Sequence, residues 1–214
     1  MKRYSCCLKC CLIVLTLLLL TSGCGVGSES APFRDDFEDS RSGWDIGQRA
    51  EFKRGYERGE YFIELEEPNW LTWTCPGKQF DDVIIEVDAY LASGSPDGHF
   101  GVFCRHTDEN NFYYFAISAD GYYAIFRREN GGDVQVITEN IEGMVFSPVI
   151  NTGGQVNRIQ AECRGDELSL YVNGKLLETV TDNAISQGDV GLGAGSGPEG
   201  NTRVQFDNFT VSMP

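Results

Sequence analysis

Histidine is almost absent: His99 and His106, seven positions apart, are the only two in 214 residues. No serine stands in the strained glycine elbow that nucleophilic hydrolases use, and nothing about the histidine spacing builds a metal centre. These scarcities argue against a Ser–His–Asp or Cys–His nucleophile. Long apolar runs are also missing. The run Leu12–Leu20 covers nine residues, too few to cross ~30 Å of hydrocarbon. Positive charge is scarce, with 17 Lys and Arg against 32 Asp and Glu and a net charge of −15. A surface of that sign repels phosphate backbones and anionic headgroups, which excludes nucleic acid as a partner and leaves neutral sugars, polyols and calcium. From residue 32 onward no stretch carries the 3.6-residue period of a long amphipathic helix, which excludes helical bundles and α/β folds.

What is present at the start of the chain is an export signal. Lys2, Arg3 and Lys9 precede Leu12–Leu20, and small residues then lead to a cysteine. That is the charged, apolar and small-residue order of a secretory leader. Leu20-Thr21-Ser22-Gly23-Cys24 resembles the lipobox of bacterial lipoproteins, with the leucine one place further from the cysteine than usual. The resemblance implies a leader over residues 1–23, a diacylated Cys24 as the mature N-terminus, and a cell-envelope location outside the cytoplasm. Residues 24–31 read as a short flexible tether. Losing the leader removes three of the 17 basic side chains and no acidic one, leaving a charge near −18.

Four of the eight cysteines lie in that leader and Cys24 takes the lipid, so Cys75, Cys104 and Cys163 remain in the exported domain. Disulfides persist there, and three is odd. The rest of the chain consists of short runs of aromatic and β-branched residues cut by turn signals. Gly59, Asp120-Gly121 and Asn173-Gly174 each split two such runs. The latter two dipeptides are strong hairpin signals, because a type I′ turn needs positive φ at both central positions. About thirteen strands over residues 32–214 exceed what one twisted sheet accommodates, so a single all-β domain of two packed sheets is expected. Alternation sets Val83, Ile85, Val87, Ala89 and Leu91 against Ile84, Glu86, Asp88 and Tyr90. By the same parity Cys104 and Cys163 look inward, which permits a buried bridge and leaves Cys75 unpaired.

The order of motifs along the domain resembles the concanavalin A-like lectin/glucanase jelly rolls. It resembles in particular the domains related to 3-keto-disaccharide hydrolases and family 16 glucanases. The residues are Asp35-Asp36-Phe37, Gly43-Trp44, Asn69-Trp70-Leu71, Gly101-Val102-Phe103, Asp108 to Tyr113, Asp120-Gly121-Tyr122, Asn157-Arg158, Leu170-Tyr171-Val172-Asn173-Gly174 and Phe206-Asp207-Asn208-Phe209. The resemblance implies a jelly-roll sandwich of two antiparallel sheets, one of them concave and able to bind ligand. Family 16 enzymes carry Glu, any, Asp, any, any, Glu on one strand. Glu86 and Asp88 fit the first two positions, but Leu91, or Ala92 across a bulge, occupies the third and transfers no proton. Asp207 is similar to an aspartate that helps hold a structural calcium, with Asp35 and Asp36 meeting it if the first and last strands pair. No other cofactor is implied.

A sugar presents C–H on its faces and hydroxyls at its rim, so flat aromatic groups beside hydrogen-bonding ones suit it. Trp70, Trp73, Tyr90, Phe103, Arg105, Tyr113 and Tyr123 are of that kind. Glu86, Asp88, Tyr90, Phe103 and Arg105 oppose the apolar faces of their strands and are expected to form one patch. The chain therefore reads as a lipid-tethered, non-catalytic binding module for carbohydrate or another polyhydroxylated envelope component. The alternatives are a glycoside hydrolase of the family 16 or 3-keto-disaccharide type and a purely structural envelope domain.

Overall fold

The computed structural model describes residues 33–138 and 143–214. The leader, Cys24 and the tether lie outside the described residues. Within them sixteen strands follow one another. The first six are β1 (Phe33–Asp35), β2 (Gly47–Gln48), β3 (Phe52–Glu57), β4 (Glu60–Leu65), β5 (Leu71–Thr74) and β6 (Val83–Ser93). Next come β7 (His99–Asp108), β8 (Asn111–Ser118), β9 (Tyr122–Arg128), β10 (Gln135–Val136) and β11 (Val145–Phe146). The chain ends with β12 (Asn157–Arg164), β13 (Glu167–Val172), β14 (Lys175–Thr181), β15 (Asp189–Gly195) and β16 (Thr202–Ser212).

They form two antiparallel sheets. The nine-stranded sheet runs β14-β13-β12-β6-β16-β4-β3-β2, with β1 also on β16, and the seven-stranded sheet runs β10-β9-β8-β7-β15-β5, with β11 on β9. The chain thus closes on itself through Asp35 opposite Phe209, first strand against last. Alternation decides the facing. Val83, Ile85, Val87, Ala89 and Leu91 of β6 are buried while Ile84, Glu86, Asp88 and Tyr90 stay partly exposed. From the other sheet Phe100, Val102, Phe115 and Ile117 complete the same core.

Two hairpins have both central residues at positive φ, as a two-residue type I′ loop demands: Asn173-Gly174 (52° and 73°) and Arg58-Gly59 (57° and 79°). Asp120-Gly121 differs from the expectation. Only Gly121 is positive, at 100°, because Ala119 joins the loop and three residues connect β8 to β9. Cys104 on β7 and Cys163 on β12 are bonded across the core, their Cα atoms 6.9 Å apart, and Cys75 is free. Among the described residues no helix is long and apolar enough to cross a membrane.

Candidate functional site

The structure separates the residues expected to share one patch. Glu86, Asp88 and Tyr90 lie on the outer face of the nine-stranded sheet, whereas Phe103 and Arg105 belong to β7 in the other sheet. Parity within a strand was legible, but membership of a sheet was not. The three on β6 are also committed to neighbours. Arg158 reaches Glu86 at 3.3 Å and Asp88 at 3.2 Å. Asn208 donates to Asp88 at 3.0 Å, and the Tyr90 hydroxyl donates toward Glu60 at 3.0 Å beside Gln205. Leu91, at the third glucanase position, is buried in the core.

Arg105 is corrected from ligand contact to structural brace. A register shift between Cys104 and Asp108 re-aims it, its φ is 53°, and only 2% of its surface is exposed. Its guanidinium donates to the Ile185 carbonyl at 3.0 Å, the Asp82 carboxylate at 3.2 Å and the Asp81 carbonyl at 3.3 Å. Tyr113 is corrected likewise. It faces the main core, its hydroxyl bound to Asp182 and accepting from the Ile185 amide. Tyr123 too is buried in that core.

The aspartates split in the same way. Asp35 accepts from the Phe37 amide and the Trp44 indole, both at 2.8 Å, and so closes the N-terminal turn. Asp207 has its carboxyl held above the usual range, chiefly by partial burial, then by Asp88 and Asp36 against the pull of the Asn208 amide. Calcium wants six to eight oxygens. Among the described residues no three Asp, Glu, His or Cys groups gather as a metal would require. With Asp35 spent on Phe37 and Trp44, Asp36 and Asp207 are the carboxylates of the expected set that remain.

A different set of residues converges at the open edge of the sandwich. The segment 45–54, at the rim of the nine-stranded sheet, meets edge strand β5 around a cleft of about 440 Å³. Arg54 ties the two rims together. It donates to the Trp73 carbonyl and to Thr72 at 3.4 Å, and pairs with Asp45 at 3.2 Å. Arg54 and Arg49 lie over the Phe52 ring, 5.1 and 5.8 Å from its centroid. Trp73, His106 and Glu109 form the opposite wall, and Trp70 stands at its end with 40% of its surface exposed. Trp73 rests on Phe103 and Phe112, centroids 5.7 and 5.5 Å away.

Below the cleft the outer face of the seven-stranded sheet is a second, smaller apolar cluster of Phe103, Phe112, Tyr114 and Ala116. The rings lie flat because β15 offers glycines there: a Cβ on Gly193 would fall 2.3 Å from Phe103, and one on Gly195 2.2 Å from His99. Phe103 is therefore a floor ring, fully buried and stacked on Tyr114 at 4.5 Å. Burial pushes His99 down to about 4, so its imidazole is neutral at pH 7, with Nδ1 3.2 Å from the Tyr114 hydroxyl. Burial also lowers His106, against Asp108 and its own carbonyl. It raises the Cys75 thiol at the cleft's edge, with Asp189 adding to the effect. Sequence reasoning named Trp70 and Trp73 but missed the others: Asp45 and Arg49 lie in a polar stretch with no motif, Arg54 in the strand run before Gly59, and Glu109 within the motif from Asp108 to Tyr113.

A family model, the 3-keto-alpha-glucoside-1,2-lyase-like domain, matches residues 32–212. The chain belongs to that family. Members of the same fold include the carbohydrate binding module CBM66 from Bacillus subtilis, at 22% identity and TM-score 0.56, covering 80% of this chain and 96% of that one. A beta-glucanase from Bacillus licheniformis is similar at 14% identity and TM-score 0.60, over 86% and 98% of the two chains. A Bacillus subtilis protein of unknown function with a galectin-like fold reaches TM-score 0.62 at 11% identity, over 85% and 94%. No curated protein matches the chain. These likenesses establish the jelly-roll sandwich; the site rests on the geometry above.

Proposed function

We propose that the chain is a lipid-anchored, extracytoplasmic carbohydrate-binding domain that holds its ligand in the Trp73 cleft without cutting it. The observation that carries this reading is the cleft itself. An indole wall, two guanidinium groups and two carboxylates meet where the two sheet rims approach, and this matches a sugar's apolar faces and hydroxyl rim. The family and the names of the similar folds support the carbohydrate class. The missing third carboxylate on β6 supports binding over family 16 hydrolysis, which needs two carboxyls flanking the bond, ~5–5.5 Å apart in retaining enzymes. A glycan array probed with the full chain in detergent tests it. Trp70→Ala and Glu109→Ala change exposed side chains, so they should weaken retention at least tenfold with little change in melting temperature. Normal retention by both variants would exclude the cleft.

The family itself favours a second reading, elimination from a 3-keto glucoside. Release of the aglycone from a 3-keto-α-glucoside by the full chain would establish that reading over simple binding.

A further inference from the structure

Two asparagines of the chain precede a glycine, Asn130 and Asn173. With no side chain on the following residue, the glycine nitrogen has open access to the carbonyl carbon of the asparagine side chain. Both pairs form tight turns with both residues at positive φ, 53° and 72° at Asn130-Gly131 and 52° and 73° at Asn173-Gly174. The two backbones are therefore alike. What differs is the hold on the side-chain amide.

Three hydrogen bonds fix the Asn173 amide. Its Oδ1 accepts from the Arg158 amide at 3.0 Å, and its Nδ2 donates to the Val149 carbonyl at 3.0 Å and to Oδ1 of Asn157 at 2.9 Å. Asn157 is itself buried and held by the Asn151 amide, so Cγ of Asn173 turns toward Gly174 only by breaking all three. Asn130 is exposed, together with Glu129, Gly131 and Gly132. Among the described residues its amide has one partner, the exposed Glu129 carboxylate at 3.3 Å. The Gly131 N–H donates to the Asn110 carbonyl at 3.2 Å, a surface bond that water replaces at little cost. The turn also demands the glycine, because a Cβ on residue 131 would take a strained φ 3.1 Å from Oδ1 of Asn110.

We propose that Asn130 is a site of spontaneous modification, passing through a cyclic imide to aspartate and isoaspartate while Asn173 stays intact. The Gly131 nitrogen attacks Cγ of Asn130 and a C–N bond forms. The Cγ–Nδ2 bond breaks, and ammonia leaves with the proton that the Gly131 nitrogen gives up. Water then adds to one of the two imide carbonyls. The ring opens to aspartate, or to isoaspartate, whose main chain runs through the former side chain and is one methylene longer. That product bears on the cleft, because the turn is laced to the one between β7 and β8. The Asn130 amide donates to Oδ1 of Asn111 at 2.9 Å, and Arg128 donates to the Gly132 carbonyl at 2.9 Å and the Glu109 carbonyl at 3.1 Å. Glu109 lines the cleft, so a lengthened backbone at residue 130 loosens the turn that carries it.

Peptide mapping of the full chain in detergent, aged in mildly alkaline buffer with and without urea, tests this. In the folded chain Asn130 should convert from amide to acid at least about tenfold faster than Asn173. In urea, where only the dipeptide counts, the two should react alike. An isoaspartyl methyltransferase should label the aged chain, and Asn130→Gln should remove the label. Amide exchange over residues 108–111 should be faster in the aged chain than in aged Asn130→Gln. An Asn130 that stays intact in the folded chain while it converts in urea overturns the assignment. Equal conversion of both asparagines in the folded chain overturns it too. Unchanged exchange over residues 108–111 strikes out the loosening of the Glu109 turn. None of these readouts depends on the carbohydrate reading.

Discussion

At Arg105 an irregularity in the register of β7 changes what a side chain is for. Strict alternation puts residue 105 on the face of Phe103, but the bulge after Cys104 turns it into the protein, where it ties the loop before β6 to the loop before β15. A buried cation is stable only while its partners remain, and removing one member of such an arrangement is costly. Arg105→Ala should therefore destabilise the fold by about 3 kcal/mol, read as a lower denaturant midpoint. Glycan retention per folded molecule should stay unchanged. Loss of retention with full stability would restore Arg105 to the ligand face. The same scale shows why the site was only half legible. Trp70 and Trp73 announce themselves as aromatics of opposite parity, and the structure places one exposed and one half-buried against the lower rings. Asp45 and Arg49 sit in a polar, turn-rich stretch that resembles any solvated loop, Arg54 stands on β3, and only the approach of β5 makes them a wall.

At the scale of strands, local rules carried most of the fold. The period of two in β6, β12 and β13 gave their inward faces, and the register confirms it: Ile159, Ala161 and Cys163 stand opposite Val172, Leu170 and Leu168. Which sheet each strand joins depends on partners far along the chain, such as β6 with β16 and β7 with β15, and no local pattern encodes that. This is why Glu86 and Phe103 seemed to share a surface. The Cys104–Cys163 bridge links one central strand of each sheet at a sequence separation of 59. In the chain-entropy description a loop of that size adds about 4 kcal/mol by restricting the unfolded chain. Cys104→Ser with Cys163→Ser should lose a similar amount in equilibrium unfolding. Addition of reductant should lower the wild-type midpoint toward that of the double variant and leave the variant itself unmoved. An insensitive wild type would mean that the thiols are packed but unbonded. Cys75, whose thiol burial and Asp189 hold in the protonated form, should react with thiol reagents more slowly in the folded chain than in the unfolded one.

For the molecule as a whole, net charge and the N-terminus bear on one question, what holds so acidic a domain at a membrane. A domain with so much excess acid has no electrostatic affinity for an anionic bilayer, so the proposed membrane location calls for an anchor that does not depend on charge. The proposed anchor is Cys24, behind the order of charge, apolar run and small residues, with residues 24–31 as the proposed tether. One acyl chain holds a protein only weakly, whereas two give stable attachment, which is what a diacylated cysteine provides. The expected species in membrane extracts is a chain beginning at Cys24 and carrying a diacylglyceryl group, as read by intact-mass spectrometry. Cys24→Ala should abolish the adduct and move the protein to the soluble fraction. The folded domain should keep its melting temperature, because its core is built from residues of β1 to β16 and the loops between them. High salt should not release the wild type, since screening weakens charge attraction but not acyl insertion. A mature chain starting elsewhere, or one released by salt alone, would mean that the acidic domain is held by a partner rather than by lipid.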